Sequence, residues 1–404
     1  MEATTASQEA IVKLERSTMS PIEPRLRFDG RPRTYNIRPS VRKVPSVTTI
    51  YIDTNVVINE SYFCSPWSQA FLKACALLQI SVVIPEIVVD EIKGNYPAHL
   101  KDRAKSFQKA ERELSKLIDL HFQNFSIPDL ISEYENFLDE LIDDNGVIVA
   151  PYPEISAKQL VEKSYAADKP FKDNGDGHKD YLVWETIKSH ILSNTTTSPN
   201  IFLTNNVKDF CQTDGNGKHH LHSHLKDQIE AKNLKPEIQV SMKLVLEETI
   251  MPLLEGMTLG DIPELNQHDI EIMTNSILLD DLPQRTAFGF ENVPFSNEVI
   301  ISSVGEAQIQ NVSLAKADDQ VVIKISGTLE IEVDGFMEKF EIYHNEEKAD
   351  FYVVASDWND HVAAVATSVE TDFELSVFYS LAGKKVIGHE INLPQETEDP
   401  WPYK

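Results

Sequence analysis

Val47-Thr48-Thr49-Ile50-Tyr51-Ile52-Asp53-Thr54-Asn55 is the stretch whose reading decides the fold. Its first six residues are β-branched, aliphatic or aromatic, too few for a helix, and no charged position alternates among them. That pattern marks a strand buried on both faces, as in a parallel sheet covered by helices. The run closes on Asp53, whose carboxylate therefore projects at the C-terminal edge of the sheet, where ligands of open α/β sheets bind. Thr54 and Asn55 add polar atoms at the same edge. An Asp after a strand also serves as a helix cap, so this residue gains its meaning only from others.

Working outward, strand-like and helix-like patterns alternate up to about residue 258. Ser68 to Gln79 predicts a helix, Ile80 to Ile84 a second strand, and Glu86 onward a helix running into the charged segment Lys101 to Ile118. Ile201 to Thr204 and Glu237 to Val240 predict a third and a fourth strand. The polar helical stretch from about 95 to 145 reads as an insertion beside the sheet. The expected class is α/β, a Rossmann-like parallel sheet over 47–258. After the Met257-to-Pro263 link the period changes to two. Strand candidates are Ile323 to Ser326 and Leu329 to Val333 around Gly327, then Phe351 to Ala355, Val362 to Val369, Phe373 to Tyr379 and Lys385 to Ile391, with a turn at Ala382-Gly383. Residues 265–404 are thus expected to form a separate, mainly antiparallel β domain.

Two further acids fall where burial is expected. Glu91 follows Ile87 and Val88 at i+4 and i+3, on the apolar stripe of its helix, whereas Asp90 follows Glu86 on the wet side. Asp180 opens a helix whose stripe continues through Val183, Trp184, Ile187 and Ile191. Negative charge in a first helical turn is favourable in its own right, so capping is the plainer account of Asp180 taken singly. The third strand runs out into Thr204-Asn205-Asn206-Val207-Lys208-Asp209, and Asn206 or Asp209 would complete a site at the same edge. A carboxylate inside a protein is costly unless something positive meets it, and three of them suggest a bound cation. Oxygen donors without His or Cys select Mg²⁺ or Mn²⁺, ions that bind phosphate oxygens. Such an ion can activate water against a phosphodiester, which points to a nuclease, with Asp53 bridging in a two-metal version.

Charge distribution qualifies the sum. The chain of 404 residues carries a formal net charge of −27, yet residues 261–404 hold 28 Asp and Glu against 8 Lys and Arg, a net of −20 that leaves −7 for the first 260. Residues 1–46 form an expected arm, basic from Arg25 to Lys43 and interrupted by prolines, in which Arg31 and Arg33 are candidate phosphate contacts. No 18-residue apolar run and no signal-like N-terminus is present, so no membrane span and a cytoplasmic location are expected. Three cysteines without metal-ligand spacing are expected as reduced thiols.

Four blocks in order, Ile50-Tyr51-Ile52-Asp53-Thr54-Asn55, Ile84 to Ile92, Gly177 to Glu185 and Phe202 to Phe210, resemble the PIN domain family of metal-dependent ribonucleases, closest to a larger bacterial branch with a helical insertion. The resemblance implies Mg²⁺ or Mn²⁺ held by Asp53, Glu91 and Asp180, and hydrolysis of single-stranded or structured RNA, in toxin-like or defence settings. Thr54, Asn55, Thr204 and Asn205 would then line the nucleic-acid path. One departure is Asn206, where many members carry a fourth acid. A non-catalytic nucleic-acid or protein binding module and a structure-specific DNA nuclease stand as alternatives. The acidic C-terminal domain is expected to serve a protein partner or self-association.

Other features have plainer readings. His219, His220, His222 and His224 crowd one segment, read as a polar surface loop leading into a helix rather than a Zn²⁺ site. Trp184 reads as core before base-stacking platform. Asp173 to Gly177 reads as a turn, since it lacks the later Glu of a calcium loop.

Overall fold

A computed structural model describes residues 49–118, 125–193, 200–215, 217–229, 236–254, 256–262, 265–288, 290, 293, 298–345, 351–356 and 360–394. The basic arm with Arg31 and Arg33, and Val47-Thr48, lie outside the described residues.

Strand β1, Thr49–Ile52, is buried at every position, as its unbroken apolar sequence requires. Helix α1, Thr54–Asn59, starts one residue later because Asp53 is an extended N-cap whose side chain accepts from the Thr54 amide. Helix α2, Pro66–Leu78, has a Ser65 cap with proline at its first position and ends on left-handed Gln79. Strand β2, Ser81–Pro85, leads into the 29-residue helix α3, Glu86–Leu114, and helix α4, Ile127–Asp144, follows. The expected insertion is therefore two helices, with Tyr96 stacked on Tyr134 at a centroid distance of 3.7 Å. Strand β3, Ile148–Ala150, then joins the sheet, an element the sequence reading passed over. Helix α5, Ala157–Ala166, carries a capping box between Ser156 and Gln159, and helix α6, His178–Ser193, starts two residues before Asp180.

Strand β4, Asn200–Leu203, ends at the short helix α7, Val207–Phe210. Strands β5, Cys211–Thr213, and β6, His219–Leu221, pair antiparallel, so His219 and His220 lie on a strand and not in the expected loop. Helix α8, Ser223–Asp227, and strand β7, Glu237–Gln239, complete the layer. The sheet order is β3-β2-β1-β4-β7 and every pairing is parallel. The chain winds outward from β1 in one direction, then returns to place β4 on its other side. The switch point between β1 and β4 is where such folds open a crevice beyond the strand ends.

Past helix α9, Met242–Leu244, which continues as a π-helical turn over Val245–Ile250, strand β8, Gly256–Met257, enters an antiparallel sheet. Helix α10, Gln267–Asp281, covers one face of it. The remaining strands are β9, Thr286–Phe288, β10, Glu298–Val304, β11, Gln308–Ala317, β12, Gln320–Glu338, β13, Tyr352–Ala355, β14, Val362–Ser380, and β15, Lys385–Asn392, with the short helix α11, Lys339–Asn345, after β12. Two expectations are corrected. The strands predicted on either side of Gly327 are one strand, and so are those predicted on either side of Glu370-Thr371-Asp372, each 19 residues long and paired in register throughout. Gly327 lies at a bulge where β11 crosses close, and a Cβ there would run into the Gln308 carbonyl.

The parallel and antiparallel sheets are separate, but they share apolar contacts. Ala315, Ala317, Val322 and Phe378 pack into the core built on β1 and α2. The Trp67 ring meets Phe378 edge-on at 4.7 Å, its Nε1 donates to Glu390, and Lys243 both pairs with Glu390 at 2.8 Å and lies 5.0 Å from the ring centre. Lys73–Asp319 and Lys324–Glu247 tie the two sheets further. The three cysteines are free thiols, and no helix among the described residues is long and apolar enough to cross a membrane.

Candidate functional site

The switch point gathers the three acids into one hydrogen-bonded line. Glu91, in the second turn of α3, accepts at Oε2 from the Thr54 hydroxyl at 2.8 Å. The Thr54 amide donates to Asp53 Oδ1 at 2.8 Å, and the Thr204 hydroxyl donates to Asp53 Oδ2 at 2.7 Å. The Asn206 amide donates to Thr204 Oγ1 at 3.0 Å, while its side-chain Nδ2 donates to Asp180 Oδ1 at 2.9 Å. The line Glu91–Thr54–Asp53–Thr204–Asn206–Asp180 thus runs from a helix, across the ends of β1 and β4, to the start of another helix. Asp53, Thr54, Thr204 and Asn206 sit one to three residues past the ends of β1 and β4, while Glu91 and Asp180 are delivered by the first two turns of α3 and α6, so residues distant in sequence meet here.

Asp53 is 3% exposed and Thr204 fully buried. Burial pushes the Asp53 carboxyl up to about 7, and the charges of Asp180 and Glu91 push the same way against the hydrogen bonds from Thr204 and Thr54. Asp180 is raised as well, first by burial and then by Asp209, with the Asn206 hydrogen bond and Lys172 opposing.

Glu91 is half-buried on α3 and Asp90 is exposed. Ile87, Val88 and Ile92 around Glu91 are buried, whereas exposed Asp90 accepts from the Tyr152 hydroxyl at 2.7 Å. Glu91 Oε1 is taken by Lys179 Nζ at 2.7 Å. Asp209 is buried but faces lysines, with Lys172 at 3.3 Å and Lys169 at 4.0 Å, and Lys169 also donates to the Lys208 carbonyl. Asn206, offered by the sequence only as an alternative to Asp209, is the residue hydrogen-bonded to Asp180. Asn55 is exposed at the start of α1 and Asn205 is half-buried in the bend after β4. Trp184 is fully buried with Nε1 on Gln228, so it is core. The turn 173–177 is held by Gly175 and Gly177 at positive φ, and a Cβ on Gly177 would crowd Pro170 and Phe171. Phe171 in turn packs on His178 and Tyr181, which fixes the start of α6 and with it Lys179 and Asp180.

Lys172, Lys179 and the lysine role of Asp209 were missed from sequence. The one available signal was the density of Lys between 163 and 179, which has no periodicity to assign it.

Among the described residues no three His, Cys, Asp or Glu side chains stand in a preformed coordination geometry. The donor set nonetheless fits a hard divalent cation. Its atoms are carboxylate and amide oxygens, and the buried Asp53 carboxyl is burdened by two neighbouring charges that a cation would offset.

Searches of curated proteins and of solved structures returned no match. A family model described as PIN domain matches residues 50–210, the span from β1 through α7 that contains all three acids. PIN domains are generally nucleases. Residues 50–210 of this chain thus match the PIN domain family in sequence and in their parallel α/β sheet.

Proposed function

We propose that this protein is a metal-dependent endoribonuclease that hydrolyses RNA phosphodiester bonds with Mg²⁺ or Mn²⁺ held by Asp53, Glu91 and Asp180. The observation that carries this reading is the hydrogen-bonded line joining those three acids through Thr54, Thr204 and Asn206 at the β1–β4 switch point. When bound, the ion supplies Lewis acidity toward the phosphate and a water of lowered pKa. The chain's residues prepare the rest. Thr54 and Thr204 fix both oxygens of Asp53, so its orientation costs nothing at the moment of reaction. Asn206 does the same for Asp180. Lys172 and Lys179, with side chains 52% and 66% exposed, present positive charge beside the acids where a phosphate backbone would approach.

Purified protein with Mn²⁺ is expected to cut a single-stranded RNA, and Asp53→Asn to remain folded while losing roughly a thousandfold in rate, the order associated with one preorganised electrostatic group. Equal cutting by the variant would end the assignment, and equal cutting of a matched DNA oligonucleotide would change the substrate. The competing reading, a binding module that keeps the acids as caps, draws on Asp53 being the N-cap of α1 and on Glu91 and Asp180 already having partners. Calorimetric titration with Mn²⁺ separates the two, since only the nuclease takes up metal.

A further inference from the structure

We propose that Lys179 is a resident counter-ion that competes with the divalent cation for Glu91 and is drawn away by a substrate phosphate, so that metal and RNA are taken up cooperatively. The inference rests on the metal-dependent reading above. Glu91 has two carboxylate oxygens, and both are engaged: Oε2 by the Thr54 hydroxyl at 2.8 Å, Oε1 by Lys179 Nζ at 2.7 Å. The Thr54 bond belongs to the line that ties Glu91 to Asp53, and although each oxygen keeps a second lone pair, a divalent cation on Oε1 would lie in contact range of the Lys179 ammonium, so the two like charges compete for the carboxylate.

The two partners differ in freedom. The Glu91 side chain is 20% exposed and its helix neighbours are buried, whereas that of Lys179 is 66% exposed. Exchange therefore moves the lysine and leaves the carboxylate in place. The backbone under Lys179 is held by the contacts of Phe171 with His178 and Tyr181 and by the close approach of Gly177 to Pro170, so a displaced side chain swings about a fixed root. Lys172 differs in being held on the buried Asp209, from where it acts on Asp180 electrostatically.

A flexible ammonium released beside a carboxylate cluster is a phosphate ligand in waiting, since it is a compact point charge with three donors. Binding RNA phosphate to Lys179 frees Glu91 for metal, and binding metal to Glu91 frees Lys179 for phosphate. Linkage makes the two effects equal in size. A partly exposed ion pair of this kind is weak enough to be displaced by a divalent ion, and its loss is expected to tighten metal binding by about fivefold.

The test is calorimetric titration of the full chain with Mn²⁺, without and with a short 2′-O-methyl phosphorothioate RNA that resists cleavage. Lys179→Gln should bind Mn²⁺ about fivefold more tightly than the wild type, and the RNA should tighten Mn²⁺ binding about fivefold more in the wild type than in this variant. Lys179→Arg, which keeps the charge, should behave as the wild type. Equal Mn²⁺ affinities in the wild type and Lys179→Gln, or equal tightening of both by RNA, would overturn the competition while leaving the metal-dependent nuclease standing. No Mn²⁺ uptake by either protein would overturn the nuclease reading and this inference together.

Discussion

Asp53 at the edge of the parallel sheet is 3% exposed, whereas Glu330, Glu370, Asp372 and Glu374 on the antiparallel sheet all face solvent. Both regions are acidic, yet residues 261–404, which include the second, carry −20 of the net −27 and the first holds all of the candidate chemistry. Along β12 and β14 the acids occupy every second position, opposite Ile325, Leu329, Ile331, Val333, Phe373 and Leu375, which are buried beneath α10 and its surroundings. Those carboxylates keep their water and cost the fold little. At the β1–β4 switch point Asp53 has lost its water and half-buried Glu91 and Asp180 part of theirs, and they have gained only hydroxyl, amide and lysine partners. The lesson is that charge count locates solvent-facing surface, while burial of charge singles out candidate chemistry.

The pH dependence of stability offers the largest expected contrast. The Asp53 carboxyl sits near 7 in the fold and near its ordinary value of 3.8 when unfolded, so the folded state holds this proton more tightly. Its stabilising contribution is complete below about pH 4 and is lost as pH rises to about 7, on the order of 4 kcal/mol for a shift of this size. Urea unfolding of metal-free protein from pH 4 to 8 should show the decline, and Asp53→Asn should flatten it. An equal slope in the variant would mean that the solvent-facing acids of the antiparallel sheet, not the site, govern the titration.

Phe373→Ala turns the comparison around. This ring is 1% exposed in the core under α10, and its truncation is expected to cost about 3 kcal/mol in chemical denaturation. Mn²⁺ affinity should stay within about twofold, because Phe373 belongs to the second core and not to the one shared with β1 and α2. A large loss of metal binding would show that the two regions are coupled more tightly than their cores suggest. The smallest effect is expected from Asn206→Ala, which removes only the donor to Asp180 Oδ1. Losses of outer partners of this kind cost about tenfold in metal affinity, measurable by calorimetry with little change in unfolding midpoint. Unchanged affinity would assign Asn206 to the loop and not to the site.

How far these features were legible in the sequence differs by region for physical reasons. β2 and β4 are buried almost throughout, so unbroken apolar runs marked them to within a residue, and for β1 they marked the end at Ile52, its expected start at Val47 lying outside the described residues. The helical stripe under Glu91 was equally plain, because Ile87 and Val88 are fixed by the same core that orients the helix. β3 escaped because an edge strand of three residues with Ile148 and Val149 exposed has neither a long run nor an alternating face. The lengths of β12 and β14 were misjudged at Gly327 and at Glu370-Thr371-Asp372, where a turn signal is in fact a crossing point and a polar patch is ordinary outward alternation. Asn206 was marked by its place just past the third strand, but its bond to Asp180 and the partners of Lys172 and Lys179 lie on other elements, and no local pattern encodes those. The acidic C-terminal region also proved less detachable than its period change implies, since Ala315, Ala317, Val322 and Phe378 help fill the core beneath β1. Truncation at residue 265 would therefore open that core to water.

Gly327 carries a genetic consequence. It stands opposite Phe373 on one side and beneath the β11 bulge on the other, where the Gln308 carbonyl occupies the space a methyl group would need. Every missense change in its codon adds at least that methyl, so even the gentlest replacement pits a side chain against rigid main chain. Among the many surface positions along these strands that would tolerate drift, this one should stay invariant among descendants, and a variant that does survive there should carry a second alteration nearby that lets β11 retreat.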